Sequence, residues 1–361
     1  MTVLLLIAGL AGLVLAGDVF VRGAVALALR FKLPVMVIGL TVVAFGTSAP
    51  ELVVSLEAAL GGAPDMALGN IVGSNIANLL IVLGLPAMIA STDCRQPFAR
   101  SNFFFVVGAS LIFTAFCLSG QIQFWHGAVL FSLLIGFLAI SAHRARVDQS
   151  AQADTAEEVE ELAEGMTTAK MVAFLAIGLA GLPLAAHVTI TSGMDVARAW
   201  GISEAAIGLT VIAIGTSLPE LVTTVSAALR GQCGLALGNV LGSNLFNLLA
   251  IVGLTALVTD IPVPAVLQQV DLWVMLAATL AITPFILLGR KISFIAGIVL
   301  VVSYAAYIGT VYAPRALGMG DMRAADTGPS PLPIGPSSAT ASGTASAIDL
   351  RPVAAGAAGL R

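Results

Sequence analysis

Apolar runs of about 20 residues recur along this chain, separated by short polar turns, and that is the length a helix needs to cross the hydrocarbon core of a bilayer. Ten such runs can be drawn, at 3–29, 34–60, 65–90, 101–119, 123–142, 168–197, 203–229, 234–258, 269–288 and 292–312. The pattern predicts an all-α polytopic membrane protein with ten transmembrane helices, five on either side of a polar linker at 144–166. Within that linker, AQADTAEEVEELAEG is acidic and has too little apolar surface to enter a membrane, so a solvated short helix or a connector is expected. From Ala313 onward the chain is rich in Ala, Pro, Ser and Gly without periodicity, which predicts a disordered tail over 313–361. The first unit is then 1–143 and the second 167–312.

Charge adds orientation to this picture. Arg30 and Lys32 follow the first run, Arg95 and Arg100 the third, and Arg144, Arg146 and Lys170 flank the linker. Arg230 follows the seventh run, and Arg290 and Lys291 the ninth, while the alternate turns carry little beyond Arg198. Cytoplasmic loops hold the excess of Lys and Arg, so both termini are expected outside and the linker in the cytoplasm. The composition, 58% hydrophobic and 10% charged with a net charge of −4, offers no basic patch for nucleic acid. Arginine outnumbers lysine by 13 to 3, a bias that goes with GC-rich coding and hence a bacterial or archaeal source; a multi-pass protein of a cell membrane, the inner membrane in a bacterium, is expected. No basic segment precedes the apolar run from Val3, so that run reads as the first span rather than a cleaved signal. Cys94, Cys117 and Cys233 lack the spacing of a disulfide framework or a zinc site.

The chain also repeats itself. Gly39 to Leu60, GLTVVAFGTSAPELVVSLEAAL, returns as Gly208 to Leu229, GLTVIAIGTSLPELVTTVSAAL, with about two thirds of its positions identical. The same offset of 169 maps Asn70 to Asn239, Ser74 to Ser243 and Asn78 to Asn247. A unit of five crossings must re-enter from the opposite side, so the two five-helix repeats are inverted. Transporters of this build hold their substrate near the midplane where the repeats meet.

Each repeated segment interrupts hydrocarbon with polar chemistry: Gly46, Thr47, Ser48, Pro50 and Glu51, then Gly215, Thr216, Ser217, Pro219 and Glu220. A carboxylate inside a span is costly and reads as part of an ion or substrate pathway. Proline withholds an amide hydrogen and clashes with the carbonyl four residues back, so each helix should break just before it and release backbone oxygens. Such irregular backbone is tolerated only where it lines a protein-enclosed cavity. Thr47, Ser48 and Glu51 are three and four residues apart, a spacing that puts them on one helical face. Asn70, Ser74 and Asn78 step by four along the next run, as do Asn239, Ser243 and Asn247. Carboxylate, hydroxyl, amide and carbonyl oxygens without sulfur or imidazole suit hard cations, calcium above the reluctantly dehydrated magnesium. Gly, Ser and Asn of the GNxxGSN segments also serve close helix packing, and Asn70, Asn75, Asn239 and Asn244 are open to either reading. Elsewhere, Asp18 and Arg22 should pair along the first span. Glu57 and Asp65 lie toward the outer face, where they could draw cations to an entrance, and His126 and His143 read as interfacial.

The paired GTSxPE segments, each followed by GNxxGSN, resemble the alpha-repeats of the prokaryotic sodium/calcium exchangers in the calcium/cation antiporter superfamily. The resemblance covers nearly the whole membrane portion. It implies ten helices in two inverted repeats, ion sites between helices 2, 3, 7 and 8, and sodium and calcium as transported ions with no cofactor. By that resemblance Glu51, Glu220, Thr47 and Thr216 hold calcium, the threonines through their carbonyls. Ser48, Ser217, Ser74 and Ser243, with the carbonyls of Ala44 and Ala213, complete the sodium sites. Asn78 and Asn247 stand where some members carry aspartate, notably potassium-dependent ones, so a potassium-independent antiporter is expected. A proton/calcium antiporter, whose branch typically has GNxxE, and a cation channel are the alternatives. A serine protease would need a base that His187 does not supply.

Overall fold

The computed structural model describes residues 1–62, 64–96, 98–147, 166–200 and 213–316. Its apolar runs form helices where the pattern places them. They are α1 (Thr2–Phe31), the halves α2 (Val35–Thr47) and α3 (Ala49–Leu60), α4 (Met66–Ile89), α5 (Ala99–Cys117), α6 (Phe124–Val147) and α7 (Thr168–Ala199). There follow the halves α8 (Ala213–Thr216) and α9 (Leu218–Leu229), then α10 (Cys233–Val258), α11 (Leu267–Leu287) and α12 (Phe294–Ala316). Among the described residues seven helices are long and apolar enough to cross a membrane, the bent pair α2 and α3 makes an eighth, and Leu218–Leu229 and Phe294–Gly309 are shorter apolar helices. Two boundaries move: α6 runs on to Val147 and α12 to Ala316, past the expected starts of linker and tail. The rest of the linker, the tail and the start of the span at 203–229 lie outside the described residues.

The helices sort by burial. In α4 and α10 the apolar windows are 78% and 89% buried, against 28% in α1 and 22% in α7. Helices α1 and α7 pack on each other and turn residues such as Leu4, Leu15 and Leu184 outward, as a lipid-facing pair must. Helices α4 and α10 are the centre, and two glycines explain how tightly α10 sits. A methyl on Gly238 would lie 2.5 Å from the Met36 carbonyl oxygen, and one on Gly242 would lie 2.6 Å from that of Leu40. The backbones of α2 and α10 therefore meet, as small residues allow between membrane helices. Each of these glycines precedes a polar residue, Asn239 or Ser243, which is carried to the seam.

The halves of the chain echo one another beyond the motif. Both central helices contain one wide, π-helical turn, Asn78–Val82 in α4 and Phe246–Ile251 in α10, a feature that often marks functional sites. Two short ladders join the halves: β1 (Thr92–Asp93) pairs antiparallel with β4 (Lys291–Ile292), and β2 (Gln121–Ile122) with β3 (Ile261–Pro262). At the repeat offset β1 maps onto β3, and β4 falls within one residue of β2. One pairing is thus the image of the other, as a two-fold relation between the halves produces. Each ladder also joins two turns that the charge pattern assigns to one side of the membrane. Asp93 is bonded by Arg95 at 2.9 Å and faces Lys291 at 3.8 Å, and the Arg95 contact holds its carboxyl below the usual carboxylate range.

Candidate ion-binding site

The breaks are where the prolines put them. The second span bends by 45° between Thr47 and Ala49. Ser48 leaves helical geometry at φ −84° and ψ 3°, and its counterpart Ser217 does the same at φ −88° and ψ 8°. Pro50 and Pro219 then occupy the first turns of α3 and α9, where their missing amide hydrogens cost nothing. Glu51 and Glu220 stand in those same first turns. There the unsatisfied N–H groups and the helix dipole favour negative charge.

Both carboxylates are wholly buried, and side chains of both repeats meet at Glu220. Ser48, three residues before Glu51, donates its hydroxyl across the repeat boundary to Glu220 Oε1 at 3.0 Å. Ser243 donates to the same oxygen at 3.4 Å. The expectation that Thr47, Ser48 and Glu51 form one face of one helix is therefore corrected. Ser48 stands at the break and not within one continuous helix, and its hydroxyl bonds the opposite repeat's carboxylate, which Ser243 of that carboxylate's own repeat also bonds. The Ala44 carbonyl accepts the Ser48 N–H at 2.9 Å and lies 3.3 Å from the Thr47 hydroxyl. Ala213 opens the described part of the seventh span.

Thr47 and Thr216 are buried and reach the other repeat. Thr47 Oγ1 donates to Asn239 Oδ1 at 3.2 Å and lies 3.5 Å from Ser243 Oγ, and Thr216 Oγ1 donates to Asn70 Oδ1 at 3.4 Å. Asn78 donates to Asn244 Oδ1 at 3.1 Å. Glu51 Oε1 and Oε2, Glu220 Oε2, Ser74 Oγ, Ser217 Oγ, Asn78 Oδ1 and both polar atoms of Asn75 and Asn247 are buried with no hydrogen-bond partner among the described residues. Buried polar atoms are ordinarily paired, and carboxylate, hydroxyl and amide oxygens are the donor chemistry that suits a hard cation. Among the described residues no three His, Cys, Asp or Glu side chains gather as a metal group; the site is built on two carboxylates and neutral oxygens.

Several residues fall outside this cluster. Asp18 bonds Arg22 at 3.0 Å and also Arg230 Nε, from the end of α9, at 2.8 Å, tying the first span to the seventh. Glu57 is exposed. His126 is buried at the start of α6 against Phe116 and Trp125, its Nδ1 accepting the Gln123 N–H at 2.9 Å. The ring caps the turn, which a lone histidine beside aromatic residues did not disclose. His143 is exposed. The cysteines are free.

Residues 1–142 and 170–313 match the sodium/calcium exchanger protein family. The chain belongs to that family. It is 34% identical over 302 residues to a putative antiporter CaxA of Alkalimonas amylolytica, covering 83% of this chain and 95% of that one. It is 30% identical over 343 residues to the sodium/calcium exchanger MaX1 of Methanosarcina acetivorans, covering 86% and 98%. Among solved structures, the sodium-calcium exchanger NCX_Mj superposes with a TM-score of 0.74 at 28% identity, over 85% of this chain and 97% of that one. This family member is a multi-pass membrane transporter, not an enzyme, and cations are its cargo.

Proposed function

We propose that this protein exchanges sodium for calcium by alternating access, with Glu51 and Glu220 as the charged ligands of one shared chamber. The observation that carries the reading is the state of those carboxylates: wholly buried at two proline breaks, with three of their four oxygens lacking donors among the described residues. Two ionised carboxylates sealed without a cation would cost at least several kcal/mol. The empty carrier therefore cannot occlude and switch sides, which makes exchange obligatory. Thr47 and Thr216 add oxygens for calcium. Ser48, Ser74, Ser217 and Ser243, with the carbonyls of Ala44 and Ala213, add them for sodium, and Asn78 and Asn247 line the chamber as neutral amides.

Charge then sets the electrical character. With Asn78 and Asn247 neutral the site carries −2, and one calcium brings it to zero. The flanking serines offer room for three sodium ions, which leave the loaded carrier positive, so each cycle moves one charge. The same neutrality removes the anchor for potassium. Purified protein in proteoliposomes tests this. Calcium uptake driven by an outward sodium gradient should respond to an imposed potential and continue when an inert cation replaces potassium. Uptake indifferent to voltage would refute three sodium ions. Uptake driven by a proton gradient alone would make this a proton/calcium antiporter. The charge pattern also supports termini outside and the linker in the cytoplasm. Labelling of a cysteine placed at Gln152 by an impermeant reagent from outside intact cells would overturn that orientation.

A further inference from the structure

One pair of side chains is arranged alike in both halves, and neither belongs to the ligand set just described. Asn239 is fully buried. Its Nδ2 donates to Thr224 Oγ1 at 2.9 Å and toward the Glu220 carbonyl at 3.3 Å, and its Oδ1 accepts from Thr47 at 3.2 Å. In the other half, Asn70 Nδ2 donates to Ser55 Oγ at 3.1 Å and Oδ1 accepts from Thr216 at 3.4 Å. Ser55 and Thr224, like Asn70 and Asn239, are related by the offset of 169.

The orientation of Asn239 is settled by chemistry. A backbone carbonyl only accepts, so the atom facing the Glu220 carbonyl must be Nδ2. The atom facing Thr47 is then Oδ1, and the threonine hydroxyl must be the donor. Thr47 Oγ1 also lies 3.3 Å from the Ala44 carbonyl of its own helix, and its single proton cannot serve both acceptors at once; the amide oxygen at 3.2 Å is the acceptor that the other repeat supplies. The hydroxyl at 224 and the Glu220 carbonyl hold the amide in turn. An aspartate could not donate to that carbonyl, and a leucine could neither donate nor accept.

We propose that Asn70 and Asn239 are positioning residues for ion binding. Each fixes the break threonine of the opposite repeat and so aims that threonine's oxygens into the chamber. The inference rests on the placement of Thr47 and Thr216 at the ions.

The test is a double-mutant cycle on Asn239→Ala and Thr47→Val, with Thr47→Ser as the conservative variant, read as half-saturating calcium and maximal rate of sodium-driven flux in proteoliposomes. Thr47→Val keeps the backbone carbonyl, so its effect passes through the hydroxyl. Each single change should raise half-saturating calcium by about tenfold, the size seen for partners that orient ligands. The double variant should be no worse than the worse single one, because both remove one interaction. Thr47→Ser should stay within about twofold of the parent, and Asn70→Ala with Thr216→Val should repeat the pattern. Unchanged half-saturation with a lower maximal rate and melting temperature would make the amides packing residues and overturn the proposal, as would effects that multiply in the double variant. If Asn239→Ala does not fold, Thr47→Val and its serine rescue decide alone. Calcium titration of the protein in detergent separates the two levels of inference. Affinity lowered in the variants of a protein that shows no exchange would sink the exchange reading and keep the amides' role.

Discussion

Glu220 and Glu51 occupy equivalent positions, yet their surroundings differ. Glu220 Oε1 receives Ser48 and Ser243. The mates of those donors, Ser217 and Ser74, have no partner among the described residues, and neither does either oxygen of Glu51. The amides follow suit: Asn78 is bonded to Asn244, while the corresponding Asn247 and Asn75 side chains have no partner among the described residues. The residue types at these positions are identical in the two repeats, so the difference lies in how they are arranged. A carrier of two inverted repeats is asymmetric in each end state, and the roles of the repeats interchange in the other. Against this stands the bond between the break threonine and the opposite asparagine, present in both halves. Contacts made twice are the frame. Contacts made once are those that the proposed cycle would exchange.

The comparison breaks most directly at the carboxylates. If the asymmetry belongs to a state and not to a division of labour, Glu51→Gln and Glu220→Gln should each lower sodium-driven calcium flux by at least about 100-fold, since orienting partners alone are worth ~10–100-fold. A Glu51→Gln protein with near-normal flux would make Glu220 the only charged ligand. The helix seam gives the next largest effect. Gly242→Ala forces a methyl against the Leu40 carbonyl and Ala44 and should destabilise by about 1–3 kcal/mol, the usual cost of overpacking. Gly73→Ala, its counterpart, meets nothing within 4 Å among the described residues and should be neutral or mildly stabilising. Thermal unfolding in detergent reads both.

Much of this was legible beforehand, for stated reasons. Helix positions followed from apolar run length, and the breaks followed from Pro50 and Pro219, because both effects are local. The partners of the break residues were not local. Helical spacing placed Ser48 beside Glu51, but the turn at Ser48 sends its hydroxyl to Glu220, a residue 172 positions away. The wide turns at Asn78–Val82 and Phe246–Ile251 add a residue per turn that no apolar pattern announces. The asparagines at 70 and 239 could not be sorted between packing and chemistry by type. The signal that could have found them was the repeated interval of 15 residues to a hydroxyl, Ser55 in one copy and Thr224 in the other.

The serines sharpen the comparison on a smaller scale. Ser48→Ala removes a bond that is made here and Ser217→Ala one that is not, so a static reading expects only the first to matter. In a symmetric cycle each serine serves in one end state, and both variants should raise half-saturating sodium by about 3–10-fold, matching a hydrogen bond of roughly 1 kcal/mol. Effects within about threefold of each other would support the cycle. A silent Ser217→Ala would show that the asymmetry is permanent.

The smallest effect belongs to the two ladders, one lying where the charge pattern expects the cytoplasm and the other opposite. In the first, Asp93 is surrounded by Arg95 and Lys291; in the second, Gln121 donates to Asp260 at 3.1 Å. Because the Asp93 carboxyl is held below its usual range by Arg95, it binds protons less readily folded than unfolded. Its contribution is therefore present above the ordinary aspartate value of about 3.9 and is lost as pH falls through the lowered folded value. Exposed pairs of this kind are worth about 1 kcal/mol at most, and less in salt. Asp93→Asn should lower the melting temperature slightly at pH 7 in low salt and leave it unchanged near the acid limit, where the parent is protonated as well. Gln121→Ala should show no comparable convergence at low pH, since the group it removes does not titrate. A deficit in Asp93→Asn that persisted in acid would mean that the side chain matters to the first ladder through shape and not through charge.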